Sequence, residues 1–544
     1  MLPSESCESV SIQTDRNLYL VSEKIYFTVG YHVCNELNSI DWSNVIYVEL
    51  IRWNGDKLIQ GKFVLQKSGP YGYLDIPGDI VSGNYYLRAY TKWMRNYSPE
   101  NYGYCEVKIV NPYSEDIDEN PEISESHTNS DSGKKILEKR SKSIQCSLSK
   151  KLFQPGEKAE VNITLDKENS MHPMDFSVTI VRKDCIDTAL KYPVCKSLAG
   201  TKNNIDYLPE IRGISVTGNV TVKNTNTPLV HADVYLSIPV SGEYFSVYNT
   251  DDQGNFLFTL PFITGNHDLF IEALPNDTLE AEIKIDNDYC NVQVNLPYKP
   301  FQLTNKERNL VQELMINDQL KQRFISVPSE PPHKKEVNLN NVFYNKPEDV
   351  FYTRDYIELN NLEEFIFELI KPITIHHKKG VPYLTVDRDI GLNDLSPLVL
   401  LDNLPIKDLK QFLNIPVNRL DRVELINEGY VAGEKIFKGL ISVYSKNSDF
   451  AGIEIPKNGL FFNYGLYSEH ADKTQMITKP SNHPNIPDLR NLLYWDPHIT
   501  LTPDKTITVS FTTSDCKGEY MVFVRSINGK GTNTIYGTSL FTVK

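Results

Sequence analysis

The sequence predicts a mainly β, multidomain protein made of β-sandwiches with one small α/β domain. Three observations carry this. The chain has 544 residues, 40% of them hydrophobic and 11% aromatic, which at roughly 150 residues per domain suggests three to five separate cores. Its 31 tyrosines, with Val, Ile and Thr in short runs, favour strands over helices. A stretch near the N-terminus also recurs: LYLVSEKIYFTV (18–29) aligns without gaps on LFQPGEKAEVNI (152–163), and internal repetition marks a reused unit.

Residues 8–112 read as a first sandwich. Ile25, Phe27, Val29 and Tyr31 alternate with polar residues, the period of a strand with one buried face. Residues 113–143 read as an acidic, disordered linker, since 114–132 contain seven acids and no aromatic and have too little apolar surface to order themselves. Residues 144–300 start a second sandwich at the repeat. Pro155-Gly156 predicts a tight turn between its first two strands, and Val21-Ser22 stands there in the first copy, predicting a looser one. Within this region, about 208–290 form an inserted module whose Thr250-Asp251-Asp252-Gln253-Gly254 cluster predicts a turn.

Residues 301–347 hold a helix and a Pro- and Lys-rich linker. Leu310, Leu314, Met315, Leu320 and Phe324 approximate one apolar stripe, and Thr304 with Glu307 has the spacing of a capping box. Residues 348–450 change to a mixed α/β pattern. A helix places Leu362, Phe365, Ile366 and Leu369 on one face; two short strands then flank Asp402-Asn403, and LDRVELINEG (420–429) and KGLISVYSK (438–446) add further strands. Residues 451–544 read as a closing sandwich, in which GEYMVFVRS echoes GNYYLRAYT of 83–91.

The repeat and the closing segment resemble the macroglobulin (MG) domain, an immunoglobulin-like sandwich of bacterial envelope proteins. The inserted module is similar to the carboxypeptidase regulatory-like domain, which implies a small sandwich without catalysis of its own. The 348–450 region resembles the plug of TonB-dependent receptors. Residues 397–406 match its strand–turn–strand with Asn403 in place of the usual glycine, 420–425 match its central strand and 439–446 its closing strand. Asn tolerates a left-handed turn next best after glycine. Such receptors carry a barrel of about 22 strands of roughly 9–11 residues; the 94 residues after Phe450 are too few, so a plug without a barrel is expected.

Net charge of −14 speaks against a general nucleic-acid binder. The eight cysteines form no CxxC pair, which argues against a zinc ribbon; Cys185 and Cys195 are spaced to close a small loop in an oxidising compartment, with buried thiols as the plainer reading. His333 and Glu336 have the HxxE spacing of a zinc peptidase but lie among prolines and lysines. His376 and His377 alternate across a strand and cannot chelate together. Acid pairs Glu363-Glu364 and Asp251-Asp252 suit solvated faces and turns. The Cys-Gly-Glu-Gln run of a macroglobulin thioester, a GxSxG elbow and a P-loop are not found in the sequence. No catalytic, cofactor-binding or metal residue is therefore assigned, and no cofactor.

The domain order resembles a group of Bacteroidota envelope proteins. That resemblance implies secretion, with removal of a signal peptide, and a periplasmic or outer-membrane-associated location. The N-terminus itself has no signal pattern and no run reaches the roughly 18–20 apolar residues of a spanning helix. The expected role is a non-enzymatic interaction or scaffold protein docking to an outer-membrane complex, in one version occluding or gating a separate translocon or transporter. The alternative is a glycan- or peptide-binding envelope protein. Exposed apolar edges favour the first; an aromatic-lined cleft favours the second.

Overall fold

The computed structural model describes residues 7–34, 42–65, 70–119, 144–166, 172–186, 205–239, 241–274, 280–324, 342–356, 359–386, 395–454, 458–469, 486–503, 505–527 and 535–544. Two compact units share the chain. One comprises Met1–Arg212, Tyr289–Ser329 and Tyr467–Lys544; the other comprises Gly213–Asp288 and Glu330–Leu466.

The first unit begins with a sandwich of two sheets. Lys24–Cys34 lies between Cys7–Thr14 and Tyr71–Asp75 in one; the other runs Leu18–Leu20, Gly103–Val110, Gly83–Tyr90, Val45–Ile51, Lys57–Val64. Ile25, Phe27 and Val29 are buried as their alternation requires. Leu18–Leu20 pairs in parallel with Gly103–Val110, then turns and crosses to the opposite sheet.

The second copy of the repeat does the same thing. Leu152–Phe153 pairs in parallel with Tyr536–Val543, and Lys158–Leu165 belongs to the facing sheet. The aligned turn residues Ser22 and Gly156 both have left-handed backbone, φ 66° and 71°. The aligned acids also act alike: Glu23 accepts from the Leu20 amide and Glu157 from the Gln154 amide, each at 2.8 Å. The turn in the first copy is thus as tight as in the second, with serine where glycine costs less.

This second sandwich corrects the expected domain plan. Its five-stranded sheet runs Leu152–Phe153, Tyr536–Val543, Gly518–Ser526, Met174–Arg182, Leu492–Leu501, and its three-stranded sheet Thr506–Thr512, Lys158–Leu165, Ile144–Leu148. The strands expected to open one sandwich (144–300) and to close another (451–544) are halves of the same one. Neither half suffices alone, because Met174–Arg182 finds its two neighbours only in the distant half. The echo between Gly83–Tyr90 and Gly518–Ser526 is real: each is the third strand from the same edge of its sheet.

The helix Asn305–Phe324 starts at the expected capping box. The Thr304 amide donates to Glu307 Oε2 at 2.7 Å, and the Glu307 amide to Thr304 Oγ1 at 3.3 Å. Leu310, Val311 and Leu314 are buried against Leu18, Leu20 and Val110 of the first sandwich and Val181, Met521 and Phe523 of the second. The helix is therefore a wedge completing one core. Phe324's side chain, like residues 325–341, lies outside the described residues.

Part of the expected linker, 113–119, is packed: the Asp118 amide donates to Ser82 O at 2.8 Å, and Asp118 is buried beside Arg52. The rest of that linker lies outside the described residues. The segments 205–212 and 289–298 are laid on the first sandwich. Asn96 bonds Tyr207 in both directions, Tyr47 donates to Glu210 at 2.9 Å, and the Cys290 amide donates to Tyr90 Oη at 2.8 Å.

The second unit holds the inserted sandwich and the α/β domain. The sandwich pairs Asn255–Thr259, Ser215–Val222, Ala281–Ile285 in one sheet and Phe245–Asn249, Asp233–Ser237, Asn266–Leu274, Gly459–Gly465 in the other. Its last strand comes from residues assigned in sequence to the closing sandwich, a second correction. The expected turn at 250–254 is present: Asp251 accepts from the Gln253 and Asn255 amides at 2.9 and 2.8 Å, and Gly254 has φ 76°.

In the α/β domain, a five-stranded sheet runs Asp349–Tyr352, Leu420–Ile426, Leu440–Ser445, Leu398–Leu401, Leu404–Pro405. Leu398–Leu401 is parallel to Leu440–Ser445, and the other pairings are antiparallel. Alternation decides the two faces. Val399, Leu401, Ile441 and Val443 pack with Leu362, Phe365 and Ile366 of the helix Leu362–Leu369; Leu398, Leu400 and Leu440 pack with Tyr235, Phe245 and Val247 of the inserted sandwich. With both faces covered, the strands read as near-continuous apolar runs.

Candidate interaction site

Two ribbons of the α/β domain present apolar side chains to solvent. In Ile373–Lys378 paired with Val381–Val386, Val381 is 67% exposed and Tyr383 44%. In Tyr430–Ala432 paired with Lys435–Phe437, Val431 and Ile436 stand directly opposite and are 63% and 50% exposed. Phe367, on the outer side of helix Leu362–Leu369, is 70% exposed. A β-branched pair facing water gains nothing from burial, and each two-stranded ribbon keeps open edges.

The hairpin at Asp402-Asn403 faces the other way. Both residues have left-handed backbone, φ 47° and 64°, the requirement of a two-residue hairpin loop, and both are nearly fully buried. Asp402 accepts from the Ser445 amide (2.8 Å), Ser445 Oγ (2.6 Å) and the Phe450 amide (2.9 Å). Asn403 donates to Pro239 O at 2.8 Å and accepts from Tyr444 Oη at 3.2 Å. Asn403 has the left-handed backbone expected of it, and its side chain adds two bonds a glycine cannot make.

Beside this hairpin is a cavity of about 270 Å3, lined by Asp402, Asn403, Asp421, Arg422, Tyr444 and Lys446, with Ser241, Ser448 and Phe450 also on its wall. Four of its lining residues (Asp402, Asn403, Ser448 and Phe450) have positive φ, and Ala451 beside them has φ 48°. Such backbone costs about 1–3 kcal/mol per residue and gathers at sites where geometry must be held. Arg422 and Glu424 lie two apart on one strand and so share a face. Arg422 Nε donates to Glu424 Oε1 at 2.6 Å and Nη1 to Asp421 Oδ2 at 3.1 Å, and the guanidinium sits 3.8 Å from the Tyr444 ring centre. Burial opposes its charge, but Glu424 and Asp421 hold it protonated, above the ordinary range. Burial likewise pushes the Tyr444 phenol up. The RVE spacing in the sequence is the signal that points to this pair.

A larger cavity in the first unit, about 560 Å3, is lined by Lys108, Lys183, Lys299 and Lys306 at the start of helix Asn305–Phe324. Three of these are paired: Lys108 with Glu307 (2.7 Å), Lys299 with Glu106 (2.6 Å) and Lys183 with Glu519 (2.7 Å).

The residues that the sequence singles out are dispersed. His376 bonds Thr385 Oγ1 at 2.9 Å and stacks on Tyr383, while His377 is 3.9 Å from Glu363. Glu364 accepts from the Asn360 amide at 3.0 Å, so that acid pair serves the helix start. Cys185 is a buried free thiol, and burial pushes it up to about 12. Cys195, His333 and Glu336 lie outside the described residues. Among the described residues no group of three His, Cys, Asp or Glu side chains is placed to hold a metal, and no helix is long and apolar enough to cross a membrane.

No family model matches the chain, and no curated protein matches it. Solved structures similar to this chain include bacterial alpha-2-macroglobulins. The trypsin-activated Escherichia coli protein is 9% identical with a TM-score of 0.22, covering 98% of this chain and 41% of that one. The Salmonella protein reacted with methylamine is 9% identical with a TM-score of 0.24, covering 98% and 39%. The Escherichia coli protein activated by porcine elastase is 10% identical with a TM-score of 0.23, covering 99% and 43%. The chain thus spans about two fifths of the length of those chains.

Proposed function

We propose that this is a non-enzymatic interaction or scaffold protein of the cell envelope, docking to an outer-membrane complex through its α/β domain. The observation that carries the reading is the exposed apolar pair Val431–Ile436, with Val381 and Phe367 on the same domain. A scaffold needs rigid elements that present such side chains, and the α/β sheet supplies rigidity because both its faces are packed. The version in which the Asp402-Asn403 hairpin occludes another protein's pore loses its contact element, since that tip is buried in its own chain.

The test is affinity purification of the full chain from native outer membranes, read by mass spectrometry, beside a Val431→Asp/Ile436→Lys variant. Both positions are exposed, so the variant keeps its fold. The proposal expects an outer-membrane protein that co-purifies with the native chain and is lost from the variant. Recovery of no such protein above background ends the docking reading.

A further inference from the structure

The cavity beside the hairpin has unused hydrogen-bonding capacity of one kind. Its acids are largely occupied: Asp402 already accepts three bonds, and Glu424, just behind Arg422, accepts from Arg422 Nε and from Tyr344 Oη at 2.6 Å. Its donors are not. Arg422 is 7% exposed and lines the cavity, yet among the described residues its Nη2 has no acceptor, while Nε and Nη1 are engaged. Lys446, exposed at the rim, has no carboxylate partner among the described residues, and the Ser448 and Ser241 hydroxyls complete a donor-rich wall. Opposing them, Asp421 keeps one uncommitted oxygen.

A pocket with surplus donors and few open acceptors favours a ligand that only accepts. The formal charges lining the wall, Asp402 and Asp421 against Arg422 and Lys446, cancel, so a single negative charge suits it better than a doubly charged phosphate. The Arg422 plane is fixed between Tyr444 and Glu424, so little ordering entropy remains to be lost on binding. The hydrogen bonds of Asp402 to Ser445 and Phe450, and of Asn403 to Pro239, hold this part of the wall in its positive-φ backbone. From this geometry we propose that the cavity binds a carboxylate, with Arg422 Nη2 and Lys446 as its donors. The carboxylate comes either from a small free organic acid or from the C-terminus of a polypeptide. This goes beyond the docking role and uses a different part of the α/β domain.

Calorimetric titration of the full chain decides it. The probes are N-acetylglycine and an acetylated alanine pentapeptide with a free C-terminus, each against its amide. The acid of at least one pair is expected to bind about tenfold more tightly than its amide. Binding of N-acetylglycine alone assigns the site to small acids; binding of the peptide acid assigns it to polypeptide ends. Arg422→Lys is expected to weaken binding about tenfold, and Lys446→Glu about threefold or more. Should Arg422→Lys melt early, the exposed Lys446→Glu variant and the acid–amide contrast still decide. No heat of binding for either acid up to about 10 mM, equal binding of acid and amide, or unchanged affinity in Lys446→Glu overturns the proposal.

Discussion

Glu272 lies in strand Asn266–Leu274 of the inserted sandwich, opposite Tyr235 in register and 3% exposed. Its Oε2 is buried with no hydrogen-bond partner among the described residues. Desolvation raises its pKa from 4.5 to about 7, with Lys407 pulling the other way. The charged and titratable groups around it are Asp233, Tyr235, Lys407 and Lys435; Lys435 is held by Asp233 and by Tyr235 Oη at 3.2 Å. Burial lowers Lys407 in turn, with Glu272 opposing. A carboxyl whose folded pKa is raised binds its proton more tightly when folded. Its stabilisation is complete below the unfolded value near 4.5 and is lost as pH rises through about 7. At 1.36 kcal/mol per unit the loss is about 3 kcal/mol. Glu272→Gln imitates the protonated form at every pH. Urea unfolding at pH 5, 6, 7 and 8 should show the variant gaining up to about 3 kcal/mol on the native chain between the lowest and highest pH. A stability difference constant to within about 0.5 kcal/mol across that range would refute the reasoning.

Three other outcomes follow from the same kind of accounting. Ser22→Gly should stabilise the first sandwich by about 1 kcal/mol, since φ 66° costs serine more than glycine; a lower midpoint in thermal unfolding would show the turn is held for another reason. Glu49→Gln weakens the fully buried Arg88–Glu49 pair and should cost about 3 kcal/mol, whereas Glu49→Leu with Arg88→Met should cost much less than the sum of the single changes, a contrast for a double-mutant cycle by denaturant melts. Thr304→Ala removes one bond of the capping box and should cost about 1 kcal/mol, seen as faster amide exchange in the first turn of helix Asn305–Phe324.

Where the signal was local, the sequence was enough. The capping box at Thr304 and Glu307, the helix face Leu362-Phe365-Ile366, the 250–254 turn and the left-handed Asn403 all depend on neighbours within a few residues, and each is present. Register between distant strands was not legible. Strands at 174–182 and 518–526 each read as sandwich strands, but nothing in their alternation says they pair with each other, so the sequence predicts two sandwiches where the structure has one. The strand Gly459–Gly465 reads as part of the closing segment for the same reason, its partner Asn266–Leu274 lying far back in the chain. The cavity at Arg422 is not legible in the sequence because it is assembled from a hairpin, a strand and a loop, and only the spacing of Arg422 and Glu424 marks a shared face.

The split sandwich has a consequence for how the protein is made. Residues 183–491 intervene between its two halves, so during synthesis the strands at 144–182 must wait, with Phe176, Val178 and Ile180 uncovered, until the final segment arrives. Loop-closure entropy grows slowly with length, and the interval costs only about 2 kcal/mol more than a tenfold shorter one; time and exposure are the greater hazard. A premature stop anywhere in the interval leaves a sticky half-core, and a chaperone that shields the 144–182 strands would be needed most by just those truncated chains.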